Sequence, residues 1–215
     1  RWVPTATEFV SVTSPQYFAD LITYGAIGAR TVESQPHRKL TSGLSMPTGM
    51  KNATNGGIKV AVDGILSAHH SHFFDSITEH GTYALFKTRW NKGSHLILRG
   101  GDKWTNFDEK SVGESVGLLE KAGLPGYVVI DESHGNSNKR FEEQPVVNTD
   151  ICRQLSNGSK KIRGVMIESH IKEWAQKMTW DIDPEISITD PCVSWDTTES
   201  MLEELAAAVK ARRSK

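Results

Sequence analysis

The sequence has few cysteines, almost no net charge and no long apolar run, and each of these shortages excludes a class of protein. Only two of the 215 residues are cysteine, and Cys152 and Cys192 lie 40 positions apart without a CxxC pair. This spacing excludes a disulfide framework and predicts two structural thiols in a reducing compartment, so we expect a cytoplasmic protein.

The charge balance argues against partners that are recruited by a global electric field. The 25 basic and 26 acidic residues leave a formal net charge of -1, so we expect neither nucleic acid nor an anionic membrane as a partner. The six tryptophans and the basic stretch at Lys87, Arg89 and Lys92 lack the aromatic pattern of single-strand binding. No apolar run approaches the roughly 18 residues of a membrane span.

The chain shows no internal repeat, no low-complexity tract and no linker-like segment, so residues 1–215 are predicted to form one globular domain. Its 37% of apolar residues is enough for a substantial core. The first residue is Arg1 and not methionine. We therefore expect a fragment, and the presence of an upstream targeting segment stays open.

Six short, largely apolar runs recur along the chain, and polar or Gly-containing loops and helical patterns separate them. Runs of this kind are typical of strands that are buried on both faces of a parallel sheet. The alternation predicts an α/β fold, either a barrel or a doubly wound sheet, although a closed barrel needs eight such units. The runs cover residues 6–12, 25–30, 47–51, 95–99, 127–134 and 162–168.

Two helices carry clear end signals. Ser14 and Pro15 predict the start of one helix, and Gly25 predicts its end. Asp196, with Glu199 three residues later, predicts a capping box for the last helix. That helix is expected to bury Leu202, Leu205 and Val209. Residues 111–122 are predicted to form a further helix, and residues 73–78 and 83–88 an inserted hairpin.

The last positions of five runs carry charged or titratable side chains. Because the carboxyl ends of parallel strands converge in a barrel, these residues predict one pocket for an anionic substrate. Guanidinium groups bind carboxylate and phosphate oxygens bidentately. A single charged residue at a strand end more often marks only the point where the chain meets solvent. The five residues are Arg30, Lys51, Arg99, His134 and Glu168.

His134, Glu168 and Asp190 form a second candidate group, on three different segments. An imidazole and two carboxylates suit Mn²⁺ or Fe²⁺, with Co²⁺ and Zn²⁺ as alternatives, and leave coordination positions for a substrate oxygen. A lone histidine is more often structural, and seven others compete for the role. The cluster His69, His70 and His72 follows a predicted helix end and is interpreted as a cap or solvent-facing group.

Six segments, in this order, resemble the class I 3-deoxy-D-arabino-heptulosonate 7-phosphate (DAHP) synthases, and the resemblance runs from about Thr7 to Arg213. The segments are GAIGARTVESQPHR, PTGMKNATNGGIKVAVD, HLILRGG, DESHGNSNK, GVMIESH and SITDPCVSWDTTE. The resemblance implies an incomplete (β/α)8 TIM barrel, with strands three to eight, an inserted β-hairpin and the first two strands absent. It also implies a homo-oligomer.

The resemblance implies a set of site residues as well. Phosphoenolpyruvate would be bound by Arg30, Lys51 and Arg99, with backbone from Gly28 and Ala29. A divalent metal, Mn²⁺ first, would be held by His134, Glu168 and Asp190, with Asp190 also at the substrate. Lys51 and His134 would be the catalytic residues. The implied reaction joins phosphoenolpyruvate to erythrose 4-phosphate, adds water and releases phosphate, with the metal polarising the aldehyde.

Several positions depart from the family pattern. The family's metal-binding cysteine and its Lys-Pro-Arg-Thr loop, which grips erythrose 4-phosphate, have no counterpart in the sequence. Glu132 stands where the family has an apolar, aromatic or Cys residue, on the strand face expected for His134, where a buried carboxylate would need a partner. The family's pocket for an aromatic amino-acid inhibitor maps in part to Pro15, Ser45 and Ser76, and Ser11 replaces one of its aspartates.

Two other functions compete with the synthase. A related synthase that uses arabinose 5-phosphate is disfavoured, because SITDPCVSW and the hairpin resemble the heptulosonate type. The other is a catalytically inactive fragment or paralogue that keeps the scaffold for binding a subunit or an effector.

Overall fold

The computed structural model describes residues 3–215, and their contacts divide the chain into two compact units. The first unit comprises the residues up to Ile97 together with Gly117–Gly126, and the second comprises Leu98–Val116 and Tyr127–Lys215. The prediction of one domain over residues 1–215 stays a prediction.

The elements alternate between strand and helix along most of the chain, as the apolar runs predicted. The strands are β1 (Ala6–Glu8), β2 (Tyr24–Ile27), β3 (Thr48–Lys51), β4 (Phe73–Ile77), β5 (Tyr83–Lys87), β6 (His95–Leu98), β7 (Val128–Asp131) and β8 (Ile162–Met166). The helices are α1 (Pro15–Phe18), α2 (Gln35–Gly43), α3 (Lys59–Ala68), α4 (Glu109–Lys121), α5 (Gln144–Ser156) and α6 (Trp195–Arg213), with 3₁₀ turns at Ala19–Leu21 and Phe141–Glu143.

The first unit is built on a parallel sheet in which β1, β2, β3 and β6 pair in that order. Every residue of β3 and β6 is buried. Strands covered on both faces in this way must be almost continuously apolar, which is why their sequence shows no alternation. Five of the six predicted runs extend past their strands into the following loop, and the run 47–51 ends with β3, so the charged residue at the end of a run lies at or just after the strand end.

The predicted hairpin is confirmed as the antiparallel pair β4 and β5, in the first unit. Phe74 pairs with Phe86 on its inner face, while Tyr83 and Leu85 are exposed on the other face. Gly81 turns the chain between the strands with φ of 75°, a conformation that glycine adopts without steric cost.

The second unit places helices α5 and α6 beside the parallel pair β7 and β8. Its core contains Val128, Ile130 and Ile162 from the strands, Val147, Ile151 and Leu155 from α5, and Met201 and Ala208 from α6. Asn148 of α5 donates from Nδ2 to Glu204 Oε2 of α6 at 3.1 Å. This polar contact joins the two helices in addition to their apolar contacts.

Three details of the helix predictions are wrong. Helix α1 is a single turn followed by a 3₁₀ turn, and Gly25 lies inside β2 instead of ending the helix. The cap of α6 is Ser194, whose extended backbone lets its side chain accept from Thr197 N, so Asp196 lies in the first turn. Leu202 is 47% exposed. The buried face of α6 follows Thr198, Met201 and Ala208 instead.

Both cysteines are free, and their surroundings fit structural thiols. Burial, then the charges of Glu204 and Glu132, raises the pKa of Cys152 to about 11. Burial also raises the pKa of Cys192. Such groups are neutral thiols near pH 7 and react slowly. Among residues 3–215, no helix is both long enough and apolar enough to cross a bilayer.

Candidate functional site

The second unit brings together the three residues that were predicted to hold a metal. One ligand atom each from His134, Glu168 and Asp190 lies within 4.8 Å of the others. His134 follows β7, Glu168 follows β8, and Asp190 lies in the long loop before α6. One imidazole nitrogen and two carboxylates form a donor set that divalent transition metals accept. These side chains therefore fit a divalent metal by chemistry and by proximity.

His134 lies in a tight turn of unusual backbone geometry. Its φ is 52°, in the left-handed region that residues with a side chain seldom adopt. Lys139 N donates to His134 O at 2.7 Å, and Gly135 N donates to Arg99 O at 2.9 Å. A non-glycine residue held in this conformation costs free energy and persists only where its surroundings fix it. The contacts around the turn therefore hold His134 in this backbone conformation.

The turn packs directly on the segment that follows β6. A Cβ atom placed on Gly100, whose φ is 74°, would lie 2.4 Å from Gly135 C. Asn136 joins the two segments by donating from Nδ2 to Leu98 O at 3.1 Å and to Asp131 O at 2.8 Å. Glycine is thus needed at both Gly100 and Gly135, where the two backbones meet, and the buried side-chain amide of Asn136 fixes their spacing.

Glu168 is held through its backbone. The buried side chain of Gln144 accepts from Glu168 N at 3.0 Å and donates to Glu168 O at 3.1 Å. Val193 N also donates to Glu168 O, at 3.0 Å. The strand-to-loop junction that carries Glu168 is therefore fixed by α5 and by the segment after Asp190, although the side chain stays partly exposed.

Asp131 is the closest charged neighbour of His134. Its Oδ2 lies 3.0 Å from His134 Nδ1, and its Oδ1 accepts from the backbone N and the hydroxyl of Ser133 at 3.0 and 2.6 Å. Ser133 Oγ in turn lies 2.9 Å from His134 Nδ1. The Asp131 side chain has no exposed surface. A carboxylate that is this deeply buried needs such donors.

The alternation of strand side chains predicted that Glu132 shares the strand face of His134. This prediction is wrong. Strand β7 ends at Asp131, so the period of two stops before the turn. Burial, then the charges of Asp131 and Glu204, raises the pKa of Glu132 to about 9. Neither carboxyl oxygen has a hydrogen-bond partner among residues 3–215. The partner that the sequence required is therefore not found there.

The predicted anion-binding residues lie in both units. Arg99 follows β6 in the second unit and is 5% exposed. In the first unit Lys51 ends β3 and is 7% exposed, whereas Arg30 lies in the exposed turn after β2. Gly28 and Ala29 precede Arg30. Cationic side chains as buried as Lys51 and Arg99 are unusual and require polar partners, which both have.

Two of the three predicted effector residues line one cavity of about 480 Å³ in the first unit. Pro15 and Ser45 lie on its wall, together with Phe74 and Phe86 of the hairpin. Ser76 does not line the cavity, but it lies two residues beyond Phe74 and so on the same strand face. The cavity is within the usual range for small organic ligands.

Three neighbours of the predicted site were not identified from the sequence. Asp131 and Gln144 contact His134 and Glu168, and the carboxylate of Glu8 packs on Gly28, where a Cβ would lie 2.1 Å from Glu8 Oε1. Glu8 and Asp131 lie inside the predicted runs 6–12 and 127–134, and an acidic residue inside an apolar run was a usable signal. Gln144 carries no such signal, because it starts a helix 24 positions away from Glu168.

Comparisons with known proteins identify a family for the chain. A model of the DAHP synthetase I family matches residues 2–203. The chain is 50% identical over 214 residues to the Phe-sensitive phospho-2-dehydro-3-deoxyheptonate aldolase of Escherichia coli K12, which covers 98% of this chain and 61% of that protein. It is 47% identical over 216 residues to the phospho-2-dehydro-3-deoxyheptonate aldolase of Haemophilus influenzae, covering 98% and 59%.

A solved structure is similar over nearly the whole chain. The phospho-2-dehydro-3-deoxyheptonate aldolase of Francisella tularensis SCHU S4 matches with a TM-score of 0.95 and 49% identity, over 98% of this chain and 62% of that one. The predicted fold class, an incomplete (β/α)8 barrel, is confirmed by this match. The chain spans about 60% of the length of the curated relatives it matches.

Proposed function

The chain belongs to the DAHP synthetase I family, and on that premise we propose that it catalyses the condensation of phosphoenolpyruvate with D-erythrose 4-phosphate and water. The products are 3-deoxy-D-arabino-heptulosonate 7-phosphate and phosphate, in the first step of aromatic amino-acid biosynthesis. The observation that carries this proposal is the grouping of His134, Glu168 and Asp190 within 4.8 Å, from three motifs that are far apart in the sequence.

We assign the binding of phosphoenolpyruvate to the cationic strand-end residues. Arg30, Lys51 and Arg99 would hold its carboxylate and phosphate, because guanidinium and ammonium groups bind such oxygens through charge-assisted hydrogen bonds. The backbone at Gly28 and Ala29 would contribute nearby polar groups. Lys51 would also act as a catalytic residue. Its low exposure supports the assignment, since an ion pair is strengthened where water is excluded.

The family is metal-dependent, and His134, Glu168 and Asp190 would hold the ion in this chain. Their imidazole and carboxylate donors fit Mn²⁺ first, with Fe²⁺, Co²⁺ and Zn²⁺ as alternatives. When bound, such an ion supplies Lewis-acid polarisation of a carbonyl oxygen. Asp190 would also contact the substrate.

The proposed reaction forms one carbon–carbon bond and breaks one carbon–oxygen bond. The methylene carbon of phosphoenolpyruvate forms a bond with the aldehyde carbon of erythrose 4-phosphate, and the aldehyde oxygen takes up a proton. The oxygen of water adds to the carbon that carries the phosphate, and this carbon becomes the ketone as its bond to the phosphate oxygen breaks. Of the two protons of water, one replaces the proton taken up by the aldehyde oxygen and the other leaves with the phosphate. Two anionic substrates repel each other, so cationic side chains that hold them in position lower the barrier.

The test is phosphate release by the purified 215-residue chain in the presence of both substrates and Mn²⁺. We expect turnover to require both substrates and to fall at least about 100-fold in His134→Ala, which removes a ligand donor. The matched control is His80→Ala, because His80 is 82% exposed in the hairpin turn. A folded chain that releases no phosphate would refute the activity and leave the inactive scaffold as the function, without affecting family membership.

We also propose that the cavity in the first unit binds an aromatic amino acid that inhibits the enzyme. The matched relative from Escherichia coli is named Phe-sensitive, and others are named tyrosine-inhibited and Trp-sensitive. Phe74 and Phe86 offer an apolar wall for an aromatic ring, and Ser45 offers a hydroxyl for polar groups. Ser76 would act from the neighbouring position on β4.

Calorimetric titration of the chain with Phe, Tyr, Trp and Leu tests this second proposal. We expect one aromatic amino acid to bind and Leu not to bind. In Ser45→Trp, whose side chain would fill part of the cavity, binding should be lost. Equal binding in the variant, or no binding of any aromatic amino acid, would refute the assignment.

Two further proposals concern the cellular location of the protein and its oligomeric state. The free thiols support a reducing compartment, and we propose the cytoplasm, to be checked by cell fractionation. We also propose a homo-oligomer, to be checked by light scattering. A monomer at micromolar concentration would contradict the latter.

A further inference from the structure

The hydrogens around the His134 ring can be counted from the geometry. The hydroxyl of Ser133 has one hydrogen, and its contact of 2.6 Å with Asp131 Oδ1 uses it. Ser133 Oγ can then only accept at its second contact, 2.9 Å from His134 Nδ1. Asp131 as a carboxylate can also only accept. His134 Nδ1 therefore donates to Ser133 Oγ. Asp131 Oδ2 lies 3.0 Å from the same nitrogen without hydrogen-bond geometry, and its negative charge favours a hydrogen on that nitrogen.

A third oxygen leads to the same result. Glu168 Oε1 lies 3.5 Å from His134 Nδ1. With oxygen acceptors around it, this nitrogen is stabilised when it carries a hydrogen and destabilised when it presents a lone pair. In a neutral imidazole the other nitrogen, Nε2, then carries the lone pair that a metal can use.

We propose that Asp131 is a positioning residue that fixes His134 as the tautomer with hydrogen on Nδ1, so that Nε2 is the atom offered to the metal. This inference rests on the proposed function for its metal, and it adds the residue that selects the ligating atom. Carboxylates that orient a histidine ligand in this way raise its basicity, and their loss typically lowers metal affinity 10- to 100-fold.

The position of Asp131 suits this role better than a purely structural one. It is the last residue of β7, and its Oδ1 also accepts from Ser133 N at 3.0 Å, so the carboxylate cannot rotate without losing that bond. The same strand end holds Asn136 Nδ2 through the Asp131 carbonyl. The carboxylate is therefore rigid before any ion arrives, which limits the entropy lost on binding.

The first experiment measures the tautomer directly. Long-range ¹H–¹⁵N correlation spectra of the ¹⁵N-labelled chain, at a pH where the ring is neutral, report which imidazole nitrogen is protonated, and His134→Ala identifies the signal. We expect hydrogen on Nδ1 in the chain without metal. A ring with hydrogen on Nε2 would overturn the proposal, whether or not the chain is active.

The second experiment compares variants by the same spectrum and by Mn²⁺ affinity, measured by electron paramagnetic resonance. Asp131→Asn should raise the population with hydrogen on Nε2 and weaken Mn²⁺ binding 10- to 100-fold. The matched control is Asp150→Asn on α5, whose carboxylate contacts Arg153 and Gln154. It should change neither. An Asp131→Asn variant with the native tautomer and affinity would refute the proposal.

Ser133→Ala keeps the test valid if Asp131→Asn does not fold. This variant retains the Asp131 carboxylate, so the native tautomer should persist with a smaller loss of affinity. A reversed tautomer in Ser133→Ala would show that the hydroxyl, and not Asp131, selects the ring state. If the tautomer and affinity behave as expected but no phosphate is released, only the proposed function fails.

Discussion

Asp131 and Glu132 are consecutive residues that are both fully buried, but their surroundings differ. Asp131 accepts two hydrogen bonds from Ser133 and faces His134 Nδ1 at 3.0 Å. Glu132 has no hydrogen-bond partner for either carboxyl oxygen among residues 3–215. The pair therefore shows two ways to bury an acid, since Asp131 Oδ1 is held by two donors whereas Glu132 is held as a neutral carboxylic acid.

The different surroundings of the two acids have different consequences for the protein. The two hydrogen bonds from Ser133 hold one oxygen of Asp131, and the other oxygen lies 3.0 Å from His134 Nδ1 in the candidate metal site. Desolvation of Glu132 favours its protonated form, with a pKa of about 9, and gives the folded chain a proton that the unfolded chain releases. We therefore expect Asp131 to matter for function and Glu132 for the pH dependence of stability.

The largest expected effect is that of removing the titration of Glu132. Between the usual carboxyl pKa of 4.5 and the folded value of about 9, the folded state binds one more proton than the unfolded state, so stability falls as pH rises. Glu132→Met should remove this slope of about 1.4 kcal/mol per pH unit and stabilise the chain by roughly 4 kcal/mol at pH 8. Urea unfolding at pH 5 and pH 8 measures both quantities.

The contrast between Asp131 and Glu132 would be refuted if the native chain and Glu132→Met lose stability in parallel between these pH values. Such a result would mean that Glu132 is charged in the folded state, with partners like those of Asp131.

The next effect concerns the contact that fixes the turn after Asp131. Gly100→Ala would place a Cβ 2.4 Å from the backbone of Gly135 at a φ of 74°, so the chain should lose about 3 kcal/mol of stability. Gly117→Ala in α4 is the matched control, because nothing lies within 4 Å of its Cβ position. It should be stabilising by about 0.5 to 1 kcal/mol. Thermal unfolding compares the two, and equal shifts would contradict the close packing.

A smaller effect is expected for Asp131→Ala. The variant leaves the two donors of Ser133 without their acceptor, at a cost of about 2 kcal/mol at pH 7. It should keep the pH slope that Glu132 produces but end it at a lower pH, because the charge of Asp131 contributes to the raised pKa of Glu132. Urea unfolding across the same pH range tests both statements. A variant that is as stable as the native chain would show that the donors around Asp131 find other acceptors.

The smallest effect is expected on the surface of the same unit. Asp150 and Arg153 form an ion pair at 2.6 Å, with 25% and 52% exposed side chains. Asp150→Asn should change the free energy of unfolding by less than about 0.5 kcal/mol, because solvent and salt screen such pairs. A larger loss would place this pair among the structural contacts of α5. Urea unfolding in low and high salt distinguishes the outcomes.

The sequence predicted the α/β fold and the location of the candidate site well. The apolar runs and the hairpin follow from periodicity, and the residues at the run ends include His134 and Glu168. Asp190, the third member of the group, lies at no run end and was predicted from the chemistry of the donor set. The helix cap at Ser194 and the exposure of Leu202 were missed. The pairing of Asp196 with Glu199 predicted a capping box two residues after Ser194, whose side chain forms the cap.

Contacts between distant segments were beyond the sequence. Gln144 holds the backbone of Glu168 across 24 positions, and no periodic pattern encodes such a bond. The tautomer proposed for His134 depends on the Asp131 carboxylate, which lies 3.0 Å from Nδ1 because of the turn after β7. Both require the coordinates of a turn that local propensity does not specify.

The sequence by itself determined where the buried strands lie to within a few residues, because strands that are covered on both faces give nearly continuous apolar runs. Only the tertiary structure decided which of two neighbouring acids serves the site. Strand β7 ends at Asp131, and the left-handed turn at His134 then aims Ser133 and the imidazole at that carboxylate. Glu132 receives no donors, so the protein buries it as a neutral acid instead.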